Sequence, residues 1–285
     1  MSMFSEADLI LNNDGSVYHL NLKPENVSTD IILVGDPGRV YRISKHFSKI
    51  EFEMNKREFI THTGYYKDKR ITVMSTGMGV DNVEIALIEL DALFNIDLKK
   101  RITKKEKTSL NMIRIGTSGA IQEDLRVGSQ VVSDYGIGLD NLMLYYKLQQ
   151  NEFELSIGKE LQNALNLPFQ PYVVKGSESL KEKLADGVIN GNTVTSPGFY
   201  APQGRKLRVE VSNPKFLDQI TYFNHKNFWL TNFEMETSMI YAFARLLGHE
   251  ALSINAILGN RAKETFSKNP YKTIDAIIKK VLDRL

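Results

Sequence analysis

The sequence predicts an α/β fold with a largely parallel sheet. Two observations carry that prediction: short β-branched runs alternate with segments of helical apolar spacing, and several of the runs end in glycine-rich polar turns. A third bounds it. The 285 residues, 42% hydrophobic and 25% charged, can bury a large core and show neither linker nor internal repeat, so residues 1–285 read as one domain.

The elements follow in order. Asp30–Val34 is an apolar strand, broken by Gly35-Asp36-Pro37-Gly38 with Arg39 behind it. Arg70–Ser75 is a second strand, ended by Thr76-Gly77-Met78-Gly79. Asn82–Phe94 has helical spacing through Val83, Ala86, Leu87, Leu90 and Leu93. Asn111–Ile115 is a third strand, ended by Gly116-Thr117-Ser118-Gly119, and Gln130–Ser133 is a fourth. Glu154–Leu165 reads as a helix and Pro171–Val174 as a strand. Phe233–Leu247 carries Met235, Met239, Ala242 and Leu246 on one helical stripe. Ala251–Asn255 is a strand and Tyr271–Leu285 a closing amphipathic helix. In such folds ligands sit beyond the carboxyl ends of the strands.

Composition excludes several classes. The chain has no cysteine, which fits a reducing, cytoplasmic setting and rules out a disulfide scaffold or a thiol nucleophile. The net charge of +2 gives no bulk field for nucleic acid, so any anion must be bound by a few placed cations. No apolar run suits a signal peptide or a membrane span. The five histidines, at 19, 46, 62, 225 and 249, lack metal-ligand spacing. There is no G-x-S-x-G, Walker loop or HExxH, and Gly77-Met78-Gly79 is not a dinucleotide fingerprint. The one basic run, Lys99–Lys107, reads as a solvated surface loop.

Four features bear on chemistry. Gly35-Asp36-Pro37-Gly38-Arg39 offers backbone N–H groups and a guanidinium to an anion, though a plain turn has the same composition. Arg114 lies inside an apolar strand, where an arginine needs a partner, which a structural salt bridge would also supply. Glu234-Met235-Glu236 reads as a helix start, either as a dipole-favoured cap or with Glu236 accepting sugar hydroxyls. Phe199–Arg205 combines an aromatic platform, an amide and a guanidinium, a set that can read the carbonyl and N–H edge of a base and that also occurs in ordinary loops.

In order along the chain, Val17–Leu20, Val34–Val40, Lys56–Phe59, Ser75–Gly79, Ile113–Ile121, Phe199–Arg205, Asn232–Glu236 and Asn260-Arg261 resemble the nucleoside phosphorylase family, and within it the uridine phosphorylases. The resemblance runs from about Val17 to the C-terminus, and against it residues 99–109 stand as a surface insertion. It implies a three-layer α/β/α fold around a mixed, largely parallel twisted sheet, and a pentosyltransferase that converts uridine and phosphate to uracil and ribose 1-phosphate in nucleoside salvage. It assigns phosphate to Gly35, Arg39, Arg114 and Thr117, with Arg57 of a neighbouring subunit. Ribose falls to Thr117, Met235 and Glu236, with His19 of the neighbour, and the base to Phe199, Gln203, Arg205 and Arg261. Glu236, Arg205 and Arg114 would carry the catalysis. A homo-oligomer follows, at least a dimer and commonly a hexamer built as a trimer of dimers, with no nucleic-acid or membrane partner.

Phosphate is a co-substrate, so no cofactor is expected. Relatives can bind a monovalent cation such as potassium beside the residue matching Glu58, where this chain has Asn82 in place of a serine. Purine-specific relatives place an aspartate near Asn260-Arg261, so its absence favours a pyrimidine. The alternatives are a purine nucleoside phosphorylase, a phosphate-independent nucleosidase of the same superfamily, and a non-catalytic nucleoside-binding protein.

Overall fold

A computed structural model describes residues 3–285. Its contacts cluster in two compact units: the chain up to Ile113 with Phe243–Glu250 and Leu285, and Arg114–Ala242 with Ala251–Arg284.

The first unit opens its regular structure with β1, Asp30–Val34, buried along its whole length. α1, Pro37–Ser44, starts sooner than the glycine turn suggests. Pro37 sits in the first turn, where its missing N–H costs nothing, and Asp36 caps it by accepting from the Gly38 N–H at 2.9 Å. Gly35 to Gly38 is therefore a strand-to-helix junction rather than a free turn. β2, Lys49–Lys56, and β3, Phe59–Tyr66, form an antiparallel hairpin, an addition to the elements expected from the sequence. In β2 the apolar Ile50, Phe52 and Met54 alternate with Lys49, Glu51, Glu53 and Asn55, the period of two that a strand requires. β4, Lys69–Ser75, pairs antiparallel with β3 and parallel with β1. α2, Val80–Asn95, buries the predicted stripe of Val83, Ala86, Leu87, Leu90 and Leu93.

The basic run has a structural task in this unit. β6, Ile102–Thr103, lies within the run and pairs antiparallel with β5, Ile96–Asp97. Lys104 Nζ donates to Phe94 O at 2.6 Å and Lys107 Nζ to Asn95 O at 3.4 Å, placing cations on the carbonyl end of α2, where the helix dipole favours them. Arg101 donates to Ser5 O and Leu9 O, tying down the N-terminal segment.

The second unit begins within β7, Asn111–Ala120. This strand does not end at Ile115 but runs through Gly116-Thr117-Ser118-Gly119. β8, Gln130–Gly138, is followed by α3, Glu152–Leu165, whose start is fixed by a capping box between Asn151 and Glu154. Then come β9, Tyr172–Lys175; α4, Glu178–Leu184; β10, Ile189–Thr195; α5, Phe216–Thr221; and a small ladder of β11, Asn224–His225, with β12, Phe228–Trp229. β13, Asn232–Glu234, and α6, Thr237–Leu247, correct the single helix expected over Phe233–Leu247: Glu234 ends a strand and α6 starts only at Thr237. β14, Glu250–Asn260, β15, Thr265–Phe266, and α7, Pro270–Arg284, complete the chain.

β8, β10 and β13 pair in parallel. The flanking pairs are antiparallel: β13 with β7, β14 and β9 with β8, and β15 with β14. β14 also pairs with β7, so β7, β14, β8, β10 and β13 close into a ring. The fold is thus α/β with mixed sheet pairing, in which the parallel pairs hold the middle.

Among the described residues no helix is long and apolar enough to cross a membrane.

Candidate active site

The ring of strands holds a polar network in its interior. Ser133 Oγ and Thr193 Oγ1 lie 2.6 Å apart, Thr193 Oγ1 donates to Asn232 Oδ1 at 3.1 Å, and Asn232 Nδ2 donates to Ser118 Oγ at 2.9 Å. All are buried. Polar groups out of water need such partners, and each has one.

Arg114 is the charged member of this network and is only 4% exposed. Its Nη2 meets Glu236 Oε2 at 2.5 Å and Glu234 Oε2 at 2.9 Å. Its Nη1 donates to Asn255 Oδ1 at 2.6 Å and reaches Ser253 Oγ at 3.5 Å. Burial works against the cation, but Glu234 and then Glu236 outweigh it, so the guanidinium pKa is raised. Gly116 makes the arrangement sterically possible: a Cβ there would fall 1.7 Å from Arg114 Nη1. Two residues on, the strand has no side chain, and the guanidinium folds back over that place. Arg114 and Glu236 are the two members that the sequence marks as site residues; Glu234 shows there only as part of a helix start, and Asn255 and Ser253 only as strand residues. A buried arginine does announce carboxylates, yet nothing in the pattern says which of the two glutamates flanking Met235 would answer.

Thr117 and Met235, the other ribose and phosphate candidates of this unit, are half-buried on β7 and in the bend before α6.

The base-reading candidates form a second group. Arg205 Nη1 donates to Gln203 Oε1 at 2.7 Å and to Phe199 O at 2.6 Å, and its guanidinium stacks 3.7 Å from the centroid of the half-exposed Phe199 ring. Gln203 is buried at the end of a 3₁₀ turn over Ala201–Gln203, which Gly204 closes in the left-handed conformation, φ 69°. Arg261 Nη2 donates to Gly204 O at 3.2 Å, while its buried Nε has no hydrogen-bond partner. Burial, and then the charge of Arg261, lowers the Arg205 pKa below the usual guanidinium value. Two cations facing one small loop favour an electron-rich ligand. Asn260 is committed elsewhere, donating to Gln122 O and Leu125 O, both at 2.9 Å.

The remaining candidates belong to the first unit. Gly35 follows β1, and Gly77 O lies 3.4 Å from where a Cβ on it would stand. Arg39 is half-buried in the first turn of α1. Arg57 is exposed at the β2–β3 turn with φ 54°. His19 Nδ1 lies 2.6 Å from Glu89 Oε1, and the same carboxylate accepts from the His19 and Leu20 N–H groups. At the candidate cation position, the side chains of Glu58 and Asn82 both pack over Gly77, and Asn82 Nδ2 donates to Met78 O at 3.3 Å. Among the described residues no cluster of three or more histidines or carboxylates could hold a metal ion.

Residues 29–284 match the sequence profile of the phosphorylase superfamily. The chain belongs to this superfamily. It is 28% identical over 93% of its length to a uridine phosphorylase of Thermococcus kodakarensis, covering 85% of that protein. It is 26% identical over 88% of its length to a purine nucleoside phosphorylase, DeoD-type, of Buchnera aphidicola, covering 90% of it. Among solved structures it is similar to a nucleoside phosphorylase of Trypanosoma brucei described as showing uridine phosphorylase activity. The two share a TM-score of 0.88 and 28% identity, with 98% of this chain and 99% of that one covered. The relatives are pentosyltransferases acting on nucleosides, the class expected from the sequence.

Proposed function

We propose that the protein catalyses the phosphorolysis of uridine to uracil and ribose 1-phosphate. The observation that carries the pyrimidine reading is the Phe199–Gln203–Arg205 group, with Arg261 beside it and no acidic side chain among these residues. Uracil leaves a nucleoside as an anion, and guanidinium and amide donors along its carbonyl and N–H edge stabilise that anion. A purine leaving group is helped instead by a proton at a ring nitrogen, for which an acid is the fitting group. The relationship to purine nucleoside phosphorylases at 26% identity keeps inosine as the second reading.

No side-chain nucleophile is needed. Phosphate attacks C1′, the C1′–N1 bond breaks with its electron pair passing to uracil, and the ribose passes through a cationic, oxocarbenium-like state. Glu236 accepts the ribose hydroxyls, and the anionic phosphate held by Arg114 faces the developing charge. Thr117 and Met235 would line the sugar, and Gly35 and Arg39 are the phosphate candidates of the first unit. His19 and Arg57 would act on the site of a neighbouring copy, which requires at least a dimer, commonly arranged as a hexamer. The reaction calls for no organic cofactor. It does not require the monovalent cation that relatives can hold beside the position of Glu58, and the reading includes a cytoplasmic location.

The test is one assay: uridine and inosine, each with and without phosphate, following free base and ribose 1-phosphate. Uracil released only with phosphate supports the proposal. Faster turnover of inosine moves it to the purine reading, and release without phosphate to a nucleosidase.

A further inference from the structure

Arg114 and Glu236 are bonded to each other at 2.5 Å, although the proposed reaction asks each to serve a different ligand. A carboxylate oxygen held by a guanidinium is a poorer acceptor for a sugar hydroxyl. What separates their tasks is Glu234. Its carboxylate is buried and makes contacts in three directions. Oε2 binds Arg114 at 2.9 Å. Oε1 accepts from Thr195 Oγ1 at 2.8 Å, and that hydroxyl in turn accepts from the Ser238 N–H at 2.8 Å. Both oxygens then take the first N–H groups at the start of α6: Glu236 N at 2.9 Å to Oε2, and Thr237 N at 3.1 and 2.9 Å. One side chain therefore fixes the backbone of Glu236, caps the helix that follows it, and gives Arg114 a counter-charge other than Glu236.

We propose that Glu234 is the positioning residue of this site, holding Arg114 for phosphate while leaving the Glu236 carboxylate available to the ribose hydroxyls. This rests on the assignment of Arg114 to phosphate and Glu236 to ribose. With the Glu234 charge removed, Glu236 becomes the single carboxylate on Arg114 and carries the whole pairing. Ribose hydroxyl recognition and phosphate binding then weaken as a pair.

The measurement is kcat and KM for Glu234→Gln with uridine, with 2′-deoxyuridine, and as a function of phosphate. The variant should lose about ten-fold or more in kcat/KM for uridine, the equivalent of one charged hydrogen bond, with a raised phosphate KM. It should lose much less with 2′-deoxyuridine, so the preference for the ribonucleoside shrinks. A purely structural role lowers both nucleosides in proportion. Thr195→Val, which keeps shape and removes the hydroxyl shared by Glu234 and the Ser238 N–H, should shift the same ratio by a smaller factor and decides the matter if Glu234→Gln does not fold. An unchanged ratio and phosphate KM in a folded variant overturn the inference alone. An unsubstituted protein without phosphate-dependent activity overturns the function and the inference together.

Discussion

The cluster around Arg114 and the loop around Arg205 both use a guanidinium, under opposite physical conditions. Arg114 is buried with two carboxylates, an amide and a hydroxyl, and its environment raises its pKa. Arg205 is half-buried, bonded to an amide and a backbone carbonyl, stacked on an exposed ring, and lowered by burial and by Arg261. A buried cation must be matched by fixed anions, so replacing it costs stability as well as function. A cation on a short loop needs few partners and can be exchanged for other chemistry. The division suits a superfamily in which the reaction is shared and the base differs.

The largest effect should come from breaking the buried side of this comparison. Arg114→Ala leaves Glu234 and Glu236 facing each other without their cation. It should cost about 3–5 kcal/mol of stability, read as a lower midpoint in urea. At a temperature where the variant is folded, phosphate dependence of the rate should be lost. Retained phosphate saturation would remove Arg114 from the site. Glu236→Gln comes next. It keeps the shape and the bond to Arg114 but weakens acceptance of ribose hydroxyls. Its kcat/KM should fall about 10–100-fold, with a smaller change in midpoint than for Arg114→Ala.

Much of this contrast was visible in the sequence, and what was hidden has a physical reason. Arg114 stood out because an arginine in an apolar strand demands partners. Glu236 and the Phe199–Arg205 loop stood out through the family resemblance. The boundaries around them did not. Gly116-Thr117-Ser118-Gly119 has the composition of a turn, yet here glycine serves as empty space for a folded-back guanidinium within a continuous strand. Phe233 to Leu247 has one helical stripe, yet Glu234 is used as an acceptor for the first N–H groups of α6, which forces its own residue out of the helix and into β13. In both cases a tertiary partner, absent from any local window, decided the conformation. The hairpin of β2 and β3 is different: Ile50, Phe52 and Met54 alternate with polar residues, a strand period that the sequence itself carries.

The exposed side of the comparison predicts a different signature. Arg205→Ala removes a charged donor to the departing uracil and should lower kcat/KM for uridine by one to two decades, from the roughly 1.5–3 kcal/mol of such a bond. Stability should stay within about 0.5 kcal/mol, because the side chain is half in water and leaves no buried charge behind. A loss of activity matched by a large drop in midpoint would mean that Arg205, like Arg114, is part of the core. Activity on inosine should change less than activity on uridine.

The smallest expected effect tests how far the carboxylates around Arg114 depend on their cation. Asp140 is a buried acid held by hydrogen bonds: Tyr172 OH donates to Oδ2 at 2.7 Å and the Leu142 N–H to Oδ1 at 2.9 Å. Burial pushes its carboxyl above the ordinary value of 3.8, and these donors offset only part of that. The native state therefore holds the proton more tightly than the unfolded chain, so stability falls as pH rises from about 3.8 through the raised value and is level above it. Asp140→Asn removes this slope. Its carbonyl can keep the Leu142 N–H, and its amino group can donate to Tyr172 OH, which then donates to Ser238 Oγ at 2.8 Å. The variant should gain at most about 1 kcal/mol over the parent near pH 7 and less near pH 4. Urea midpoints at the two values measure the difference. A variant less stable than the parent at pH 7 would show that the charge on Asp140 is itself stabilised, and that two hydrogen bonds can do in this fold what Arg114 does for Glu234.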